Sequence, residues 1–243
     1  MDDSFKRIKE KFETFSVKRY WGDDFDVRFY LISQLKENRE KSILDIGGGV
    51  GIISSELKES NYKINLDLSL DDLKNCNQTY GKLINNINGS MTFLPFKDNS
   101  FDCIICSHLL EIAKGIDIKN NSVVNNGINQ YPTIEKIFNE IYRIMKNDGI
   151  LYLTTPNNAY YKSSKLTYQE LTKSIKKNFK KYSLFFYNTY PNLSKKHRKL
   201  NFANSIPKIK LKFRNHSEII NSLVKNDEGV ERESVSFYVE IRK

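Results

Sequence analysis

The chain has 243 residues, 39% hydrophobic and 12% aromatic, enough apolar material to close one large α/β core and to exclude general disorder. No run approaches the ~18 uninterrupted apolar residues of a membrane span, and the opening MDDSFKRIKEKFE is charged where a secretory signal carries an apolar core, so a cytoplasmic setting is expected. The net charge of +10 is lopsided: residues 1–156 hold 20 Lys and Arg against 22 Asp and Glu, whereas 157–243 hold 19 against 7.

In chain order, Phe5, Ile8, Phe12 and Phe15 recur at helical spacing, and Phe25, Phe29, Ile32 and Leu35 mark a second helix over about 25–38. Apolar runs then alternate with helical patterns: SILDI, YKINLDL, a short segment near LINNIN, FDCIICS and GILYLTT, with helices around 52–60, 69–77 and 134–146. That alternation predicts βαβ units and a parallel sheet, and the near-continuous apolarity of FDCIICS and GILYLTT predicts strands covered on both faces. Gly149 fits a turn after a helix ending near Met145, and Pro156 ends the fifth strand. Residues 115–132, rich in Asn, read as a long loop; a helix is expected from about Thr167, then strands at KYSLFFY and SVSFYVEIRK. Cys103 and Cys106 lack a second CxxC or CxxH partner and read as small buried hydrophobes, so no metal site is expected.

The chemistry is concentrated in ILDIGGGVG, where a strand ending at Asp45 leads through Gly47, Gly49 and Gly51 into a helix. Glycines there let the backbone turn tightly and let a ligand approach closer than a Cβ permits. A dinucleotide fingerprint starting at Gly47 wants Gly or Ala at position 52, which is Ile52. Asp67 follows Asp45 by 22 residues at the tip of the second strand, placed to accept from ribose hydroxyls or, with Ser69, to cap a helix.

The DxGxGxG form resembles motif I of the class I S-adenosylmethionine-dependent methyltransferases, in their type 11, UbiE-like branch. NGSMTFLPFKDNSFDCIICSHLLE resembles that family's passage from the third strand through LPF and SFD into the fourth, and IYRIMKNDGILYLTTPNN its closing helix and fifth strand; together the matches span about 43–158. The resemblance implies a doubly wound, Rossmann-like, seven-stranded sheet with an antiparallel last strand in a single domain: 1–40 N-terminal helices, 41–158 the cofactor core, 159–243 completing the sheet. It implies S-adenosyl-L-methionine as cofactor, held by Asp45, Gly47, Gly48, Gly49, Gly51, Asp67 and Leu68, with Ser90, Met91 and Ser107 as further members. Ser90 stands where many relatives carry an Asp for the adenine amino group. Ser107, His108 and Glu111 fall at the carboxyl edge of the sheet, where His108 reads either as a general base for an oxygen acceptor or as a histidine packing or capping the next helix.

A sulfonium donor carries its own activation, so no triad or metal cluster is required. Arg19, Tyr20 and Trp21 are candidates to close over the cofactor, or Trp21 to anchor the first helix. The LPF and SFD segments resemble members acting on small metabolites, which makes a small-molecule acceptor the leading expectation. The alternative is RNA: across 162–214 there are 15 basic residues and one acid, Glu170, interleaved with Tyr190, Phe202 and Phe213. A binding protein that keeps the cofactor fold without turnover is a third expectation.

Overall fold

The structure is a computed structural model that describes residues 25–37, 42–57, 62–110, 134–157, 166–187, 223–225 and 236–243. Helix α1 (Phe25–Glu37) precedes β1 (Ser42–Ile46), α2 (Ile52–Ser55), β2 (Tyr62–Asp67), α3 (Leu70–Tyr80), a short 3-10 turn, β3 (Asn85–Asn88) and β4 (Phe101–Ser107). There follow α4 (Ile134–Ile144), β5 (Met145–Pro156), α5 (Tyr168–Asn178), β6 (Lys181–Tyr187), β7 (Leu223–Lys225) and β8 (Ser236–Arg242).

The strands form one sheet in the order β3-β2-β1-β4-β5-β8-β6-β7. Strands β1 to β5 pair in parallel, and the chain's last strand, β8, inserts antiparallel between β5 and β6. This is the expected seven-stranded, mostly parallel sheet with an antiparallel last strand; the three-residue β7 extends it at the edge beside β6. The order reverses between β1 and β4, so the carboxyl ends of these two strands and of β2 open a crevice at a topological switch point.

Alternation along the strands divides the core between the two faces. Cys103 and Ile105 of β4 pack with Ile43, Ile52, Ile53 and the inward residues of α1, whereas Ile104 and Cys106 face Ile137, Phe138, Ile141, Leu171 and Ile175 from α4 and α5. The two cysteines therefore sit on opposite faces of one strand, and their thiols cannot share an ion. Burying each such aliphatic side chain stabilises the fold by roughly 1.5–3 kcal/mol, and β4 contributes to both layers.

The expected helix over 52–60 is a single turn, Ile52–Ser55: the N–H groups of Glu56 and Leu57 bond back three residues, to the carbonyls of Ile53 and Ser54, which tightens and ends it. Strand β5 starts earlier than expected, at Met145. Its register with β4 jumps between Phe101 and Cys103, so the turn carrying Gly149 is an excursion inside the strand. Thr167 caps α5, its hydroxyl accepting from the Glu170 N–H while the Glu170 carboxylate accepts from the Thr167 N–H.

At the amino edge the sheet is tied by one carboxylate. Asp102 Oδ2 accepts from the Ser42 N–H and hydroxyl, the Asp102 N–H donates to Ser42 Oγ, and Lys146 Nζ reaches both carboxylate oxygens at 2.9 Å. Burial works against this anion, but Ser42 and Lys146 outweigh it and hold the carboxyl below its ordinary value. A depressed acid stabilises the fold above the unfolded value of about 3.9, and that contribution is lost as pH falls through the lower folded value. Ser42→Ala is thus expected to cost about 1–2 kcal/mol at pH 7 and less at pH 2.5, read from urea denaturation at the two pH values.

Candidate functional site

The turn after β1 is built from three glycines with positive φ: Gly47 at 71°, Gly49 at 53° and Gly51 at 77°. Its shape is set by bonds from the neighbouring strand. The Gly47 N–H donates to the Leu66 carbonyl at 2.7 Å, the Gly49 N–H to Asp67 Oδ2 at 2.9 Å, and Asn65 Nδ2 to the Gly49 carbonyl at 2.8 Å. Asp67 uses its other oxygen to accept the Ser69 N–H at 2.8 Å, and the Ser69 hydroxyl caps α3. Asp67 therefore braces the glycine turn and the helix start together, and each carboxylate oxygen keeps a further lone pair for a hydroxyl donor.

The two sides of the turn differ. On the inner side a Cβ on Gly48 would lie 2.3 Å from Asn65 Oδ1 and 2.7 Å from the Asp45 carboxyl, so only glycine fits. On the outer side a Cβ on Gly49 would meet nothing within 4 Å among the described residues. Asp45 lies on the inner side, 1% exposed, taking a hydrogen bond from the Ser54 hydroxyl at 3.1 Å, while its Oδ1 has no hydrogen bond among the described residues. Burial pushes its carboxyl up to about 7; the Ser54 hydroxyl opposes this and the Asp67 charge adds to it.

Around the crevice, Leu68 is 69% and Phe93 is 78% exposed. Leu68 directly follows β2, whose Asp67 is the register partner of Asn88 at the end of β3, and Phe93 lies in the turn beyond β3, bridged to Ser90. The Ser90 hydroxyl is engaged with Thr92 at 2.9 Å, and Met91 packs against the core. Across the switch point, the Ser107 hydroxyl pairs with that of Thr154 at 2.9 Å, and His108 follows at φ 53°, its N–H donating to the Thr154 carbonyl at 2.8 Å. A non-glycine residue in that region is uncommon, and such strain concentrates where a strand end must present a side chain to a site.

The LPF segment is fastened by Arg143 of α4. Its guanidinium donates to the carbonyls of Leu94 and Phe96, to Asp98 and to Glu140, and Glu140 Oε2 accepts the Leu94 N–H at 2.8 Å. Neither Arg143 nor Asn65 stood out in sequence. Asn65 carried a readable signal, being a polar residue between Ile64 and Leu66 in a strand buried on both faces.

The structure brings Asp45, Gly47, Gly48, Gly49, Gly51, Asp67, Leu68, Ser90, Met91, Ser107 and His108 to the carboxyl edge. Arg19, Tyr20, Trp21, Glu111, the 115–132 loop, Tyr190, Phe202 and Phe213 lie outside the described residues.

An adenosyl ligand with an amino acid tail needs bare backbone to rest on, a carboxylate for its ribose and apolar flanks for its base. The open face of Gly49, the Asp67 oxygens and the Leu68 and Phe93 side chains match those needs. Residues 44–153 match the family model described as a methyltransferase domain. An uncharacterized protein of Methanocaldococcus jannaschii is 32% identical over 127 residues, covering 52% of this chain and 46% of that one, so the match spans about half the length of that curated relative. A SAM-dependent methyltransferase of Thermotoga maritima shares the fold with a TM-score of 0.52 at 17% identity, over 97% of this chain and 99% of that one. Another from Archaeoglobus fulgidus does so with a TM-score of 0.54 at 14% identity, over 89% and 94%. Residues 44–153 thus match a methyltransferase domain, and the sheet that carries them has the fold of the class I S-adenosylmethionine-dependent methyltransferases.

Proposed function

We propose that the chain transfers a methyl group from S-adenosyl-L-methionine to a small-molecule acceptor bound at the carboxyl edge of the sheet. The reading rests on one observation above others: the Gly49 N–H is held by Asp67 while the outer face of Gly49 stays open. Asp67 would take the ribose hydroxyls, Leu68 and Phe93 would flank the adenine with Ser90 and Met91 at its edge, and Ser107 would lie toward the methionine end. Asp45, beneath the turn, would favour the ammonium through the backbone layer. When bound, the sulfonium supplies an activated methyl group, and the protein contributes orientation and exclusion of water. His108, presented at the strand end, would remove a proton from an oxygen acceptor. No helix among the described residues is long and apolar enough to cross a membrane, and we place the activity in the cytoplasm. We read 159–243 as part of the same domain, since β6 and β8 continue the sheet from β5.

Gly49→Ala separates binding from folding. The positive φ costs an alanine about 1–2 kcal/mol, with no clash, but its methyl group stands where the ligand would rest. Chemical denaturation should find the variant folded and calorimetry should find cofactor affinity lowered at least tenfold. The acceptor is identified by incubating the protein with methyl-labelled donor and a cell extract and following the label. Label in a small molecule supports the reading; cofactor binding with no transfer to any fraction points to a binding protein without turnover.

A second reading, RNA as acceptor, is favoured by a specific arrangement. Lys181 and Arg242 are directly opposed register partners on β6 and β8, beside Lys180 in an open cleft of about 320 Å³, where these three cations outnumber the one carboxylate, Glu240. If RNA binds there, log affinity falls linearly with log salt; a flat response removes RNA.

A further inference from the structure

A polar row crosses the sheet beneath the glycine turn. Asp45, Asn65 and Asn86 are register partners on β1, β2 and β3, and Asp45 and Asn65 are buried where parallel strands are usually apolar. The Asn65 amide nitrogen is fully committed, donating to the Gly49 carbonyl at 2.8 Å and to Asn86 Oδ1 at 3.0 Å. That fixes the amide's orientation and turns Asn65 Oδ1 toward Gly48, against which the Asp45 carboxyl also presses. Asn65 Oδ1 and Asp45 Oδ1 are both buried without a hydrogen bond among the described residues. A fully buried carboxylate oxygen with no donor is costly, and protonation removes the charge that makes it so.

Among the described residues, the groups around Asp45 offer its unpartnered oxygen no donor. Ser54 of α2 already donates to its other oxygen, Asp67 at the tip of β2 is an anion, Ile105 of β4 is its apolar register partner, and Cys76 of α3 is a thiol that burial pushes up. No cation is among them. Burial holds the carboxyl near 7, so a neutral form is populated at and below neutrality.

We propose that in the free protein Asp45 keeps its proton, and that it releases the proton to solvent when a cationic amino acid group settles on the outer face of the glycine turn. The inference rests on the cofactor reading and adds a regulation to it: occupancy is coupled to pH, and Asn65 is a positioning residue that acts through Gly49. A positive charge one backbone layer away favours the carboxylate, and the released proton balances the charge gained.

Titration calorimetry of S-adenosyl-L-homocysteine in buffers of different ionisation enthalpy counts the proton. At pH 6, release approaching one proton per ligand is expected, with little release at pH 8. Affinity should rise up to tenfold per pH unit from 5.5 toward 7 and level off above it. Ser54→Ala removes a donor that favours the carboxylate, so the midpoint of that rise should move to higher pH, which a merely structural change would not produce. Asp45→Asn, neutral at every pH, should bind more weakly, release no proton and lose the rise below pH 7; the ligand's own amine titrates alike in both proteins. Binding without proton release and with flat affinity from pH 5.5 to 7 overturns the inference and leaves the cofactor reading intact. Absence of binding at every pH overturns both.

Discussion

Gly48→Ala is expected to cost about 2–3 kcal/mol of stability and to abolish thermal stabilisation by S-adenosyl-L-homocysteine. The added methyl group would have to occupy space 2.3 Å from Asn65 Oδ1 and 2.7 Å from the Asp45 carboxyl, both buried and held by neighbouring strands. Overpacking of this kind typically costs 1–3 kcal/mol, and relief requires the turn to lift off β2, which breaks the bonds to Asn65 and Asp67. Denaturation in urea reads the first effect and a thermal shift the second. The contrast with Gly49→Ala, where stability largely survives and binding does not, locates the ligand on the outer face.

Arg143→Ala is the second large effect, expected at about 2–4 kcal/mol. The side chain is 31% exposed, so an isolated surface pair would be worth little, but this guanidinium holds two carbonyls and two carboxylates at once. Its loss leaves Glu140 without its main charge partner, and Glu140 anchors the Leu94 N–H. Arg143 draws the Glu140 carboxyl below its ordinary value, and the wild-type gain, present above pH ~4.3, is lost as pH falls through the lower folded value. The variant should therefore show a weaker acid dependence of stability in the same denaturation series. Because the LPF segment follows directly on Ser90 and Met91, the cofactor affinity should also fall, by about tenfold.

The strands were legible because burial on both faces leaves a plain mark: FDCIICS and SILDI are read as β4 and β1 with the same limits, and SVSFYVEIRK contains β8, Ser236–Arg242, whose antiparallel sense came with the family resemblance. The glycine turn was legible because its conformation admits little else. Other features depended on partners far along the chain. The short α2 is set by three-residue back-bonding that its helix-like sequence does not reveal, and β7 is three residues defined only by pairing with β6. Arg143 looked like one more base in a helix's last turn, although three of its four partners are 45 to 49 residues away. Sequence spacing suggested that Asp45 and Asp67 flank one ligand, but not that Asp67 would brace the turn from the open side while Asp45 lay beneath it.

The central claim is that bare backbone after β1, held by Asp67, receives an adenosyl ligand. Differential scanning fluorimetry with S-adenosyl-L-methionine, S-adenosyl-L-homocysteine and a nicotinamide dinucleotide tests it directly. The account predicts a rise in melting temperature with the two adenosyl ligands, growing with concentration, and none with the dinucleotide. An unchanged melting temperature with both adenosyl ligands, alongside a shift with the dinucleotide, would contradict it.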